Sequence, residues 1–344
     1  MGKKALYNKV NKVELKESLA AEPFDRITAS FYRYVKIDEP ELFRDDLYQK
    51  WDMLNIFGRV YVSKEGINSQ ISVPEKHWKK FIAQLNKIEE LKNIHIKQAL
   101  QDGPSFYKLT IKVREELVAY GIPEDTYDMN ETGNHLSSKE YNKAIEDPNT
   151  VIVDMRNYYE SEIGRFEDAL IPDVETSKEL LPEVKGILKG KENDPVLLYC
   201  TGGIRCEKAS AYLIKHGFQN VNQLQGGIIQ YAHDVKAQGL ESRFKGKNFV
   251  FDDRLGERVT DDILSSCHLC NSSCDRHTDC KNDACHILFI QCDQCSEELS
   301  GCCSIECRDF ASLPILEQKQ LRKDPARVVS KTFFDSRIKP KLIQ

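Results

Sequence analysis

No cysteine occurs before position 200, no apolar run approaches the ~20 residues needed to cross a bilayer, and charge of neither sign dominates. The missing apolar run argues against a membrane span and a membrane partner. The net charge of −5 provides no global field for nucleic acid, so any such site must be local. No Rossmann glycine pattern for a flavin is present, nor an evident pair of histidines with a carboxylate for non-haem iron. No internal repeat or low-complexity tract occurs. The polar sequence after Met1-Gly2-Lys3-Lys4-Ala5-Leu6 carries no signal-peptide pattern, and Leu6 stands where N-myristoylation needs serine or threonine. A cytoplasmic chain is expected. Its 344 residues imply two or three domains at a prior of about 150 residues each.

What is present is concentrated. Of twelve cysteines, ten lie between Cys267 and Cys307, and the other two are Cys200 and Cys206. The run Val196–Tyr199 reads as a buried strand, Cys200-Thr201-Gly202-Gly203-Ile204-Arg205 as a loop, and Cys206–His216 as a helix closed by Gly217. A cysteine between a strand and a helix N-terminus meets converging amides and the positive end of the helix dipole. Arg205 adds a full charge, and both effects pull a thiol below its free pKa of about 8.5. A packed core cysteine is the bland alternative. Two glycines and an arginine within five residues favour a nucleophilic or redox sulfur instead. Four residues separate Cys200 from Arg205, against five in the cysteine phosphatase signature, so the loop suits a group smaller than phosphate.

Upstream, 26–37 reads as a strand, 40–56 as a helix, Arg59–Ser63 and Ile67–Val73 as strands, and Glu75 to about Glu90 as a helix. Strands at His95–Leu100 and Phe106–Val113 complete a ferredoxin-like α+β domain, with one extra strand, over residues 1–120. From the capping box Ser137-Ser138-Lys139-Glu140 onward, strands at Val151–Val153, Val196–Tyr199 and Asn220–Leu224 alternate with helices at Ser177–Leu188, Cys206–His216 and Ile228–Lys236. That pattern implies a mainly parallel α/β sheet over 130–245, with its site at the carboxyl ends of the strands. Asp154 and Cys200 each follow a strand and are expected in one crevice. Asp154 and Arg156 are candidates to brace the loop, an ordinary salt bridge being the other reading. Cys206 is either a resolving thiol or one of a buried stripe with Ala209 and Leu213. Glu207 and Lys208 read as a solvated helix start.

Residues 246–310 hold the cysteine module. Cys267-x2-Cys270 and Cys292-x2-Cys295 have zinc-knuckle spacing, and Cys280-x4-Cys285 with Cys303-x3-Cys307 could complete two interleaved sites of four cysteines each. Cys274 and Cys302 would be spare, and His268, His277 and His286 lie close enough to replace a cysteine. Structural zinc is the expectation, because a segment this short and poor in large apolar residues needs a staple. Disulfides and an iron–sulfur cluster are the competitors. The tail 311–344 is basic, with eight lysines and arginines from Lys319 onward. Arg327, Lys331 and Arg337 are candidate phosphate contacts, with Phe333 and Phe334 for stacking; a solvated tail is the alternative. Lys64 and Asn68, near the Glu65-Gly66 turn, are further RNA candidates.

The middle domain resembles a rhodanese-like domain through Asp154-x-Arg156, the loop Cys200–Arg205 and Leu224-Gln225-Gly226-Gly227-Ile228. The resemblance extends to Ser63-Lys64-Glu65-Gly66-Ile67-Asn68, Cys200 through Lys208, Asn248-Phe249-Val250-Phe251-Asp252-Asp253-Arg254 and the cysteine-rich end. Together these resemble the oxygen-dependent tRNA uridine hydroxylase family over nearly the whole chain. That resemblance implies hydroxylation of C5 of the wobble uridine of tRNA by molecular oxygen and a reductant of unknown identity, with Cys200 required. A sulfur- or electron-donor protein is the further partner implied. Cys200 could add to C6 of the base or carry oxygen or sulfur. A persulfide sulfurtransferase and an inactive scaffold are the alternative functions.

Overall fold

The computed structural model describes residues 10–174 and 176–323. A short helix, α1 (Lys12–Ala20), precedes the first domain and is capped by the Asn11 side chain, which accepts from the Glu14 amide at 3.0 Å. The domain then runs β1 (Arg26–Tyr34), α2 (Pro40–Asp52), β2 (Phe57–Ser63), β3 (Gly66–Pro74), α3 (Trp78–Leu85), β4 (Lys97–Gln98) and β5 (Leu109–Val113). Its sheet has the order β4-β1-β3-β2-β5. The first four strands are antiparallel neighbours, and β5 adds the expected extra strand parallel to β2. This is the ferredoxin-like arrangement.

Alternation along the strands separates the two faces. Phe31 points inward to Trp51 and Phe81, which stack edge-on at 5.7 Å. Ser30, Tyr32, Tyr61 and Asn68 face the other way. At the β2–β3 turn, Gly66 has φ +140°, and a Cβ there would lie 2.0 Å from the Arg33 carbonyl oxygen, so only glycine fits. The helix expected over 75–90 is shorter. Glu75–His77 forms a 3-10 turn, α3 ends at Leu85, and Asn86 turns its side-chain oxygen to the Asn93 amide at 2.9 Å. The strand expected over 95–100 narrows to the two residues of β4, an edge strand that among the described residues pairs only with β1.

The second sheet is wholly parallel, with β6 (Asn134–Leu136), β7 (Val151–Asp154), β9 (Val196–Tyr199) and β10 (Val221–Leu224) in the order β6-β10-β9-β7. Helices α4 (Ser138–Ile145), α5 (Tyr158–Glu162), α6 (Ser177–Ile187), α7 (Ile204–Lys215) and α8 (Gly227–Gln238) surround it. The Ser137–Glu140 capping box starts α4 as anticipated. Because Val196 through Tyr199 are all fully buried, β9 runs through the centre of the domain and delivers Cys200 at its carboxyl end.

Between the parallel sheet and the cysteine module, β8 (Gly164–Phe166), β11 (Phe244–Asn248) and β12 (Glu257–Arg258) form a small antiparallel sheet. The module itself has a hairpin, β13 (His277–Asp279) with β14 (Leu288–Ile290), followed by α9 (Asp293–Glu298), α10 (Ile305–Ser312) and α11 (Ile315–Leu321). Among the described residues no helix is long and apolar enough to cross a membrane.

Candidate active site and candidate metal centres

Cys200 leaves β9 with its side chain fully buried, and the next residues fold the loop back over its sulfur. Gly203 takes φ +99° at the start of α7 and donates its amide to Cys200 Sγ at 3.1 Å. The helix begins at Ile204, two residues before the expected Cys206, which brings the Arg205 amide into the same cradle. Burial alone pushes the Cys200 thiol up. A hydrogen bond with Cys206, the Arg205 charge, and the amides of Arg205 and Gly203 outweigh it and pull the thiol down to about 5. Burial and the neighbouring sulfur have the opposite effect on Cys206, whose pKa rises well above the usual thiol range. Cys206 thus stays protonated and donates to the Cys200 thiolate. It is also fully buried with Ala209 and Leu213, as the buried-stripe reading expects.

The turn after β10 fixes the loop from behind. Ile228 and Ile229 donate their amides to the carbonyls of Cys200 and Thr201 at 3.0 and 3.2 Å. A Cβ on Gly227 would lie 2.6 Å from the Cys200 carbonyl oxygen and 2.8 Å from the amides of Gly202 and Gly203. The Gly226-Gly227 pair therefore serves as the mould against which the loop is cast.

Arg205 is held by Glu160, whose carboxylate accepts from both terminal nitrogens at 2.6 and 2.8 Å. Glu160 was missed by sequence reasoning; the only local signal was its capping box with Asn157. Asp154 does not share the crevice with Cys200 as expected. The last residue of β7 points into the interior, where Asp154 accepts from Arg156, from the Tyr199 hydroxyl at 2.7 Å and from Ser161 at 2.8 Å. Arg156 continues to the Gly164 carbonyl at 2.6 Å. This fully buried pair fixes the segment that carries Glu160, one shell away from the loop.

A cavity of about 360 Å³ separates the loop from the polar face of the first sheet. That volume falls within the range of roughly 300–1,000 Å³ usual for small-ligand sites. Cys200, Thr201, Gly202, Ile204 and Arg205 form one wall, and Tyr32, Tyr61, Asn68 and Lys97 the facing one. The first two domains thus face each other across the site, Phe251, Asp252 and Arg254 of the third segment also line it, and the contacts that lock the first two together lie beside it. The Tyr32 hydroxyl donates to Glu207 at 2.9 Å, and the Tyr120 hydroxyl to the Arg205 carbonyl at 3.0 Å. Lys208 reaches Glu65 at 2.8 Å and Glu116 at 3.2 Å. The solvated helix start expected at Glu207 and Lys208 is therefore corrected: Lys208 is fully buried and both residues clamp the first domain onto α7.

The remaining RNA candidates fall apart in space. Asn68 lines the cavity, whereas Lys64 is exposed in the β2–β3 turn and does not. Arg327, Lys331, Arg337, Phe333 and Phe334 lie outside the described residues.

The cysteine module gathers two sulfur cages, Cys267/Cys270/Cys292/Cys295 and Cys280/Cys285/Cys303/Cys307, each with all its sulfurs within 4.8 Å of one another. A tetrahedral ion with metal–sulfur bonds of about 2.3 Å sets its sulfurs about 3.8 Å apart. The separations Cys270–Cys292, Cys285–Cys303 and Cys303–Cys307 are 3.6, 3.7 and 3.6 Å. The donor sets fit one tetrahedral metal ion each, and a cage this small leaves no room for a cluster of several irons. Pairs alternate along the chain, so the two sites are interleaved. Cys274 and Cys302 stay outside both, as do His268, His277 and His286; His268 instead pairs with Glu162 at 2.8 Å.

Three domain families match consecutive parts of the chain. They are the UPF0176 acylphosphatase like domain over 26–117, the rhodanese-like domain over 137–234 and the rhodanase C-terminal region over 245–308. A protein from Leptospira interrogans serogroup Icterohaemorrhagiae serovar Lai is 47% identical over 341 residues, covering 99% of this chain and 93% of its own. Relatives from Photorhabdus laumondii and Pectobacterium atrosepticum are 47% and 48% identical over 319 residues, covering 92% of this chain and 91% and 90% of theirs. All three carry the name tRNA uridine(34) hydroxylase.

Proposed function

The chain belongs to the tRNA uridine(34) hydroxylase family, and we propose that it hydroxylates C5 of the wobble uridine of tRNA, with Cys200 as the reacting group. The observation that carries the role of Cys200 is its sulfur, held by the Gly203 amide at 3.1 Å, in the wall of a cavity of about 360 Å³. Uracil C5 is a poor nucleophile until a thiolate adds to C6, after which its electron density rises at the atom that must meet oxygen. The amides of Gly203 and Arg205 and the thiol of Cys206 keep Cys200 in the reactive form at neutral pH. Glu160 keeps Arg205 in place, and the clamp through Lys208 and Glu207 holds the first domain over the loop. Molecular oxygen and a reductant come from outside, and a donor protein is the partner we assign to electron supply.

The first sheet offers tRNA its polar face, Asn68 included, while Lys64, Arg327, Lys331 and Arg337 are the candidate phosphate contacts. Zinc bound by Cys267, Cys270, Cys292 and Cys295, and by Cys280, Cys285, Cys303 and Cys307, serves structure. The place of action is the cytoplasm, where tRNA is processed.

Mass spectrometry of wobble nucleosides from cells lacking the gene tests this reading. Loss of 5-hydroxyuridine derivatives, restored by the wild-type chain and not by Cys200→Ser, is the expected result. Growth under ¹⁸O₂ should place the label in the 5-hydroxyl. Loss of thiolated uridine instead would turn the assignment to persulfide transfer.

A further inference from the structure

Lys97 belongs to the cavity wall, and the contacts above do not explain its placement. It lies on the short edge strand β4, is only 4% exposed, and runs across the loop. A Cβ on Gly202 would sit 3.9 Å from Lys97 Cε, and one on Gly226 3.6 Å from Lys97 Cδ. Among the described residues Lys97 makes no ion pair and its ammonium no hydrogen bond; its one ring contact is with Tyr32, 4.7 Å from the centroid. The buried cations nearby, Arg156, Arg205 and Lys208, all have carboxylate partners. An ammonium has three donors, and burying it without an acceptor costs free energy unless a ligand supplies one. Burial pulls this ammonium down to about 8, even against the Cys200 and Glu207 charges that work to raise it, so it is a strong donor near neutral pH.

We propose that Lys97 is a catalytic residue that donates to O4 of the uracil ring as Cys200 adds to C6, stabilising the enolate that forms. The inference rests on the proposed function and names the partner of the developing charge. The step balances without oxygen. The Cys200 sulfur forms a bond to C6, the C5=C6 pair moves toward O4, and a solvent proton reaches C5. Reversal removes the other C5 proton and expels the thiolate. The net result is exchange of hydrogen at C5 with no change of oxidation state. A carbonyl rather than a phosphate is the fitting acceptor, because Lys97 lies in the cavity wall beside the sulfur and not on the outer surface.

The test is anaerobic exchange of C5 hydrogen in substrate tRNA in D₂O, at saturating tRNA, with Cys200→Ser as the blank. The wild-type chain should exchange. Lys97→Met should exchange about 10²-fold more slowly, the usual cost of removing one donor to a developing oxyanion. Alkylation of Cys200 as a function of pH measures how much thiolate the variant loses with the Lys97 charge, and the fall in exchange should exceed that loss. Thermal unfolding should stay near wild type, and Lys97→Arg, which keeps the charge, should recover part of the rate. Lys97→Gln stands in if Lys97→Met fails to fold. The proposal is overturned if Lys97→Met exchanges like wild type, or if its loss only matches a loss of thiolate. Absence of exchange in the wild type also overturns it, and 5-hydroxyuridine formation by the same preparation, once oxygen and reductant are admitted, shows whether the proposed function survives that result.

Discussion

Replacing Gly227 by alanine perturbs the loop without touching the sulfur. The new Cβ would meet the Cys200 carbonyl oxygen at 2.6 Å, whereas ordinary contact begins at 3.4 Å. The carbonyl must therefore retreat by about 0.8 Å, the gap between those two figures, and the amides of Gly202 and Gly203 must move with it. Gly203 is the donor that holds Cys200 Sγ. A displacement near 1 Å at a reacting group costs on the order of 10²-fold in rate. The φ of +69° adds a backbone cost of about 1–2 kcal/mol for a residue with a side chain. Gly227→Ala should thus lower 5-hydroxyuridine formation at saturating tRNA by about 10²-fold, lower the unfolding temperature modestly, and leave tRNA affinity unchanged. Nucleoside mass spectrometry of a timed reaction, with tRNA binding and thermal unfolding measured alongside, provides the check. Full activity with unchanged stability would refute the idea that this turn moulds the loop.

Three further outcomes follow from the same geometry. Arg205→Met removes a charge that favours the thiolate, so the Cys200 pKa should rise from about 5 and the acid limb of the activity profile should move to higher pH; an unmoved limb refutes this. Lys208→Met strips Glu65 and Glu116 of a buried partner and should cost up to about 3 kcal/mol in urea unfolding, the low end for a buried pair because both carboxylates are partly exposed; no change would remove Lys208 from the clamp. Elemental analysis should find two zinc ions per chain, and chelation should unfold the module around Cys267–Cys307 while the parallel sheet persists; iron, or a single ion, contradicts the two cages.

What could be read from sequence was local. Cys200 stood out because strand, glycine pair and arginine follow one another within ten residues, and the amides that ionise its sulfur belong to that same stretch. The cysteine pairs could be read from spacing, and their interleaving follows from the alternation of short gaps and long ones. Glu207 and Lys208 were misread because Tyr32, Glu65 and Glu116 lie 92 to 175 residues away in the chain. An isolated helix start gives no sign that another domain will cover it. Asp154 was placed in the crevice by the rule for strand ends, but Arg156, two residues on, drew it inward. Lys97 left no motif at all. Its position depends on an edge strand of two residues and on a neighbouring domain, both settled by tertiary packing.

The central claim is that Cys200 is a thiolate at neutral pH. Its most direct test is the pH dependence of iodoacetamide labelling of the Cys200 peptide, followed by mass spectrometry in the full chain. Labelling should rise with a midpoint near 5. A midpoint at or above the free-thiol value of about 8.5 would contradict it.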